Sequence, residues 1–269
     1  MRAELWLRVI YARAWVRVKS VYNEPLWLAV NIAFPLLSST AFALLYRSAG
    51  LAALSGFAIL GGIMMAFWSN VLWSMASQFH WDKQVGLFDI YLVSPAPVTA
   101  LLVGMSLGGI ASTAPSAILV AAFGWTVFSP PFSPSWGTVI LTFTLTLASL
   151  YAMGMLLSSL FLVYGREAEA VNEAISEPVS MLSGVYFPAI GGASPFPLAI
   201  QALASLIPLT IGMDALRRGV FTAEGLGTMV PNLTVLATMA TLLLLAASKT
   251  LGALEGKGRK EGTLGVRLR

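Results

Sequence analysis

Six apolar runs, each long enough to cross a bilayer, constrain this chain more than any other feature. They are Leu26–Tyr46, Leu51–Met75, Val98–Phe123, Trp136–Val163, Ala168–Tyr186 and Gly227–Ala247. A transmembrane helix needs about 20 mostly apolar residues. The expected fold is therefore an all-α polytopic membrane protein with six transmembrane helices. Composition agrees: only 10% of residues are charged, against roughly 25% in a soluble domain. A further apolar stretch, Phe196–Ile207, is too short to span and is framed by Pro195, Pro197 and Pro208. It reads as a re-entrant or interfacial element between the fifth and sixth spans. Three parts follow: a basic interfacial segment over 1–25, the six-helix domain over 26–250, and a flexible basic tail over 251–269.

An even number of spans puts both termini on one side, and the cations say which. Arg2, Arg8, Arg13, Arg17 and Lys19 precede the first span, and six Lys and Arg lie at or beyond the end of the last. With Lys83 and Arg166 in loops on the same side, only Arg47, Arg217 and Arg218 of the 16 Lys and Arg fall opposite. The positive-inside rule places both termini in the cytoplasm. The charge-studded start lacks the apolar core of a cleavable signal peptide, so the first span is expected to direct its own insertion. Its residues up to Tyr22 mix cations with Leu5, Trp6, Ile10 and Trp15. Two readings stand: an interfacial helix seated at the headgroups, or a merely basic flank.

The chain has no cysteine, which excludes disulfides, thiolate catalysis and cysteine metal sites, and it has one histidine, His80. With no HExxH and no pair of intramembrane aspartates, an intramembrane protease is disfavoured. No G-x-x-x-x-G-K-[ST] occurs, so this chain cannot hydrolyse ATP by itself. The net charge of +4 reads as topology rather than nucleic-acid affinity, and membrane lipids are expected partners.

Ionisable residues inside spans are costly and face a bundle interior or an aqueous cavity. Glu169, Glu173 and Glu177 stack at i, i+4, i+8 in the fifth span, with Ser176 and Ser180 beside them. Glu173, Glu177 and Ser180 are candidates to line a pathway for a cationic or polyhydroxyl substrate. The alternative keeps Glu169 and Glu173 at the water line and Glu177 hydrogen-bonded to neighbouring hydroxyls. In the third span Ala100, Gly104, Gly108, Ser112 and Ser116 form a ladder of small residues. It permits close helix approach, within the subunit or between subunits. Outside, Asp214 is spaced to pair with Arg217 and Arg218 on a short helix.

Between the second and third spans lies a cytoplasmic island, Asp82–Pro97, that is half apolar. Its Gly86-Leu-Phe-Asp-Ile-Tyr-Leu-Val-Ser-Pro95 closely resembles a loop of type-2 ATP-binding-cassette export permeases. There a Gly-Thr-Leu-Glu-x-Leu-Leu-x-Ser-Pro pattern forms a short coupling helix. Leu87 stands for the usual Thr and Asp89 for the usual Glu, while Gly86, Leu92, Ser94 and Pro95 hold their places. A second resemblance is Ser183-Gly-Val-Tyr-Phe-Pro188, followed by Pro208-Leu-Thr and Asp214-Ala-Leu-Arg217, in the order those permeases carry. The resemblance implies the membrane subunit of an ATP-driven exporter in a prokaryotic inner membrane. It implies a second permease subunit, identical or homologous, and separate cytoplasmic ATPase subunits that hold the ATP and magnesium. Gly86, Phe88, Asp89, Tyr91, Leu92, Ser94 and Pro95 would contact that ATPase, with Phe88, Tyr91 and Leu92 as an apolar knob. Pro188, Pro208, Asp214 and Arg217 would shape the outer re-entrant region. The runner-up is a secondary transporter coupled to protons through Glu177.

Overall fold

The structure, a computed structural model, describes residues 2–87, 90–91, 98–164 and 168–261. Among them every regular element is helical. Helix α1 is Arg2–Asn23, α2 is Pro25–Ser48, and α3 is Ser55–Ser69, which runs on as a π-helical turn over Asn70–Ala76. A short α4, Gln78–Gln84, follows; then come α5, Val98–Phe128, and α6, Trp136–Tyr164. The remainder are α7, Ala168–Leu182; α8, Leu198–Ala204; α9, Pro208–Phe221; and α10, Leu226–Glu261.

Among the described residues, five segments are long and apolar enough to cross a membrane unaided: Pro25–Ser48, Ala52–Trp73, Val98–Phe128, Trp136–Ser159 and Leu226–Ala253. The other predicted crossing, Ala168–Tyr186, is built differently. Helix α7 has only 15 residues, about 22 Å against a hydrocarbon core of about 30 Å. Yet α6 and α10 run parallel. Thr138 Oγ1 donates to Glu224 O (2.9 Å) at one end, and Ser159 Oγ donates to Thr250 Oγ1 (3.2 Å) at the other. The chain between them must cross back. It does so by adding the irregular segment Ser183–Tyr186 to α7. Tyr186 arrives at the far end of α2, where its carbonyl accepts from Tyr46 (2.7 Å) and its hydroxyl donates to Ser38 Oγ (2.8 Å).

Helices α8 and α9 meet at 99°, as a re-entrant element requires. Gly212 of α9 abuts Thr146, about 15 Å along α6 from Trp136. From there α9 returns to the starting end, where Ser135 N donates to Gly219 O (2.9 Å). Leu209 and Met213 are fully buried in the main core, with Trp68, Leu72, Leu102 and Leu150.

The small-residue ladder of α5 has a definite occupant. A Cβ at Gly104 would stand 2.7 Å from Ile10 O, and one at Gly108 would stand 2.8 Å from Ala14 O. Farther along, Ser116 Oγ donates to Asn31 O (3.0 Å). So α1 lies lengthwise on the first half of α5 and α2 continues along the second. Helix α5 has 31 residues, about 46 Å, long enough to seat both. The outward side of α1 carries exposed Trp6, Leu7, Tyr11 and Trp15, which suits a headgroup-level helix. At the other terminus, α10 stays helical to Glu261, past the boundary at 250 expected for a flexible tail. Its leucines, alanines and charged helix formers outweigh Gly252 and Gly256, each costing about 1 kcal/mol relative to Ala.

Because the α1–α5 seam is backbone against backbone, it tolerates no side chain. Gly108→Val should lower stability by about 1–3 kcal/mol and expose α1 to protease in detergent-solubilised protein. Gly227→Ala, where nothing lies within 4 Å, should do neither.

Candidate functional site

Three places gather polar side chains that a bilayer would reject, and each is built by a different local device. The first is the start of the island. Helix α4 ends at Gln84, and Gly86 follows at φ +76° with open space around it, a left-handed conformation that favours glycine. One turn before, Asp82 is buried. It accepts hydrogen bonds from Arg13 Nη2 (2.8 Å) and Gln78 Nε2 (2.7 Å). The Arg13 guanidinium also lies over the Tyr91 ring, 5.5 Å from its centroid. Burial first, then the Asp82 charge and hydrogen bond, push the Tyr91 hydroxyl up to about 12, with Arg13 opposing. Tyr91 therefore stays a neutral donor. Of the island's described apolar residues, Tyr91 turns toward the core while Val85, Leu87 and Ile90 are exposed. The predicted contacts Phe88, Asp89, Leu92, Ser94 and Pro95 lie outside the described residues, as does the His80 side chain.

The second place is a cleft of about 410 Å³ between α2, α3 and α7, lined by Phe34, Met65, Ser69, Trp73, Glu173, Ser176 and Glu177. The i, i+4 spacing brings both carboxylates to it, and both are exposed. Among the described residues, none donates a hydrogen bond to either. Ser180 instead donates to the Glu177 carbonyl (2.9 Å), bonding its own helix rather than either carboxylate. Glu169 lies outside the residues whose side chains are described.

The third place is the re-entrant region between α7 and α10. Arg217, expected beside Asp214, is buried at 5% exposure and serves another purpose. It donates to Phe187 O (3.0 Å) and Val185 O (2.9 Å) and to Gly184 O, and it lies over the Phe57 ring at 4.9 Å. Asp214 pairs only with Arg218 (3.5 Å) at i+4, and Asn232 Nδ2 approaches it at 3.4 Å. Arg218 also clamps Glu224 (2.6 Å). The i, i+3 pairing is thus displaced, because the Ser183–Pro188 turn has carbonyls with no helix to satisfy them. Gly184, at φ +62°, permits that turn; a Cβ there would stand 2.5 Å from Phe187 O. Pro188 leaves the turn, and Pro208 opens α9 at its first residue.

Sequence reasoning missed Arg13 and Asp82. They lie 69 positions apart, and no local pattern links them. The one available signal was an acid next to an apolar span in a chain poor in acids.

A polytopic helical bundle with a re-entrant helix pair, a loop anchored to the N-terminal helix by a buried ion pair, and a carboxylate-lined cleft has the build of a membrane transport protein. The chain belongs to the ABC-2 type transporter family, whose model matches residues 8–221. No curated protein matches it.

Since Arg217 satisfies three carbonyls, Arg217→Ala should cost about 3 kcal/mol or more, read as a lowered unfolding temperature. Arg217→Lys, with one nitrogen for three acceptors, should fall between. A wild-type melt for Arg217→Ala would remove the pinning role.

Proposed function

We propose that this membrane subunit of an ABC-2 transporter is the permease of an ATP-driven exporter, powered by separate cytoplasmic ATPase subunits. The observation that carries the reading is the build of the island. Its base is fixed to the bundle by Asp82, Arg13 and Tyr91, while Val85, Leu87 and Ile90 stand exposed just beyond. A contact that transmits force needs a rigid base and an apolar surface with a partner to bury it. Phe88, Asp89, Leu92, Ser94 and Pro95 extend the same surface in sequence. ATP and magnesium belong to the partner, and this chain contributes the coupling contact.

In this reading two permease subunits, identical or homologous, enclose the pathway along the acidic face of α7. Glu173 and Glu177 are exposed in the single chain, and carboxylates against hydrocarbon are costly. A second subunit and the water between them supply the missing environment. The positive-inside asymmetry puts both termini and the island on the ATP side.

Co-expression with candidate cassette ATPases, followed by purification and ATP-turnover assay, tests the coupling. Leu87→Asp with Ile90→Asp should reduce co-purified ATPase at least tenfold while the permease stays monodisperse. Undiminished co-purification would sink the docking surface. Transport by the purified chain alone down a pH gradient would instead support proton coupling through Glu177.

The absence of native cysteine makes the subunit pairing directly testable. Met181 is exposed on α7 and Leu242 on α10. Oxidation of Met181→Cys in native membranes should yield a disulfide-linked dimer, and Leu242→Cys should not. The reverse pattern would move the interface away from α7.

A further inference from the structure

Helix α1 carries two described arginines that face the bundle, Arg13 and Arg17, and among the described residues only Arg13 has a direct acidic partner. Arg13 is committed to Asp82. Arg17, one turn on, packs its Cβ against Gly108 and turns into a nook with Asn31, Asn70, Ser112, Thr113 and Ser116. Among the described residues nothing accepts a hydrogen bond from its guanidinium. Burial foremost, then Arg13, lowers its pKa, while Tyr151, Glu24 and Asp82 act the other way. The guanidinium nevertheless stays charged at neutral pH.

The hydroxyls and amides around it are mostly engaged elsewhere. Ser112 Oγ donates to Gly109 O (3.1 Å), Ser116 Oγ to Asn31 O (3.0 Å), and Asn31 Nδ2 to Trp27 O (2.8 Å). Asn70 accepts from the Tyr151 hydroxyl through Oδ1 (2.9 Å), which leaves its NH₂ to donate. Asn70 also opens the π-helical turn, an irregularity often found where a helix serves a site. The donors left over, a guanidinium and an amide NH₂, suit an anion.

The nook holds only about 20 Å³, room for one water-sized group such as a headgroup oxygen. It does not end there. Through Trp27, Asn31, Ser69 and Trp73 it continues into a groove of about 270 Å³ that adds Val30, Phe34 and Pro35. Trp27, Val30 and Phe34 are exposed, so the groove opens sideways along α2, where the surrounding solvent is lipid. The acidic cleft adjoins it, sharing Phe34, Ser69 and Trp73, and Glu173 and Glu177 there repel an anion. Charge thus confines an acidic head to the Arg17 end.

We propose that this nook and groove bind an anionic phospholipid of the surrounding bilayer. Its phosphate oxygens rest on Arg17 and Asn70, and an acyl chain lies along Trp27, Val30 and Phe34. Such a lipid would neutralise the half-buried cation and wedge α1, α2 and the π-helical turn together. The inference goes beyond the exporter reading and needs no ATPase, so it is tested on the purified chain alone.

The experiment is equilibrium binding of dioctanoyl phosphatidylglycerol to the full chain in neutral detergent. Dioctanoylglycerol and glycerol phosphate serve as the head-only and chain-only controls in reverse: the first lacks the phosphate, the second the chains. The phospholipid should bind at least tenfold tighter than either. Arg17→Ala should weaken it at least tenfold, Arg17→Lys about threefold, and Arg8→Ala, an exposed cation on the same helix, not at all. Val30→Trp, which fills the groove without touching Arg17, should also weaken binding tenfold and decides the matter if Arg17→Ala fails to fold. Equal losses for Arg8→Ala and Arg17→Ala would reduce the effect to diffuse attraction by a basic helix and overturn the site. Glycerol phosphate binding as tightly as the phospholipid would overturn the groove.

Discussion

Helices in a bilayer gain little by hiding apolar side chains from one another, because lipid tails are as apolar as leucine. This bundle depends instead on backbones coming close at residues without side chains. Gly61 lies against the Val185 carbonyl, Gly104 and Gly108 against α1, Gly124 against Ile59, and Gly212 against Thr146. Each seam joins a different pair of elements, and each carries a consequence for the transport architecture. The Gly61 seam sets the irregular end of α7 into the bundle. The Gly104–Gly108 seam holds α1 near the island. The Gly212 seam lets the re-entrant helix reach the depth of Thr146.

Dispersion at such seams is non-directional, and the specificity comes from arginines. Three of them face inward, and each meets a different need. Arg13 balances the buried Asp82. Arg217 makes its hydrogen bonds to carbonyls left over where α7 stops short of a full crossing. Arg17 has neither kind of partner among the described residues. A buried guanidinium is stabilised by whatever acceptor is nearest, which explains why Arg217 hydrogen-bonds the turn carbonyls rather than Asp214 at i−3. The turn carbonyls are desolvated and fixed, while Asp214 has Arg218.

Much of this fold was legible in the sequence because span length and apolarity are local properties. The segments Pro25–Ser48, Ala52–Trp73 and Trp136–Ser159 lie within a few residues of the expected runs. The fifth crossing was legible in extent, yet its last four residues are not helical. Gly184 and Pro188 hinted at that; the contacts that hold it, from Arg217 in α9 and from Tyr46 and Ser38 in α2, come from distant parts of the chain. The acidic face of α7 followed from spacing, whereas the walls opposite it, Phe34, Met65 and Trp73, come from two other helices. The Asp82 anchor was not legible. Ion pairing across 69 positions depends on how α1 lies on α5, and the ladder on α5 did not name its occupant.

On the proposed reading, that anchor bears on how a separate ATPase drives the bundle. A loop pushed by a partner deforms locally unless its base is stiffer than its tip. Here the base is tied to α1 by a short ion pair, shielded from water at Asp82 and stacked on Tyr91. Buried pairs of this kind contribute little net stability, but breaking one leaves a costly unpaired charge. The start of the island is therefore tied to α1. Because α1 is in turn seated on α5 without intervening side chains, displacement of the island becomes displacement of a helix that runs the height of the bundle.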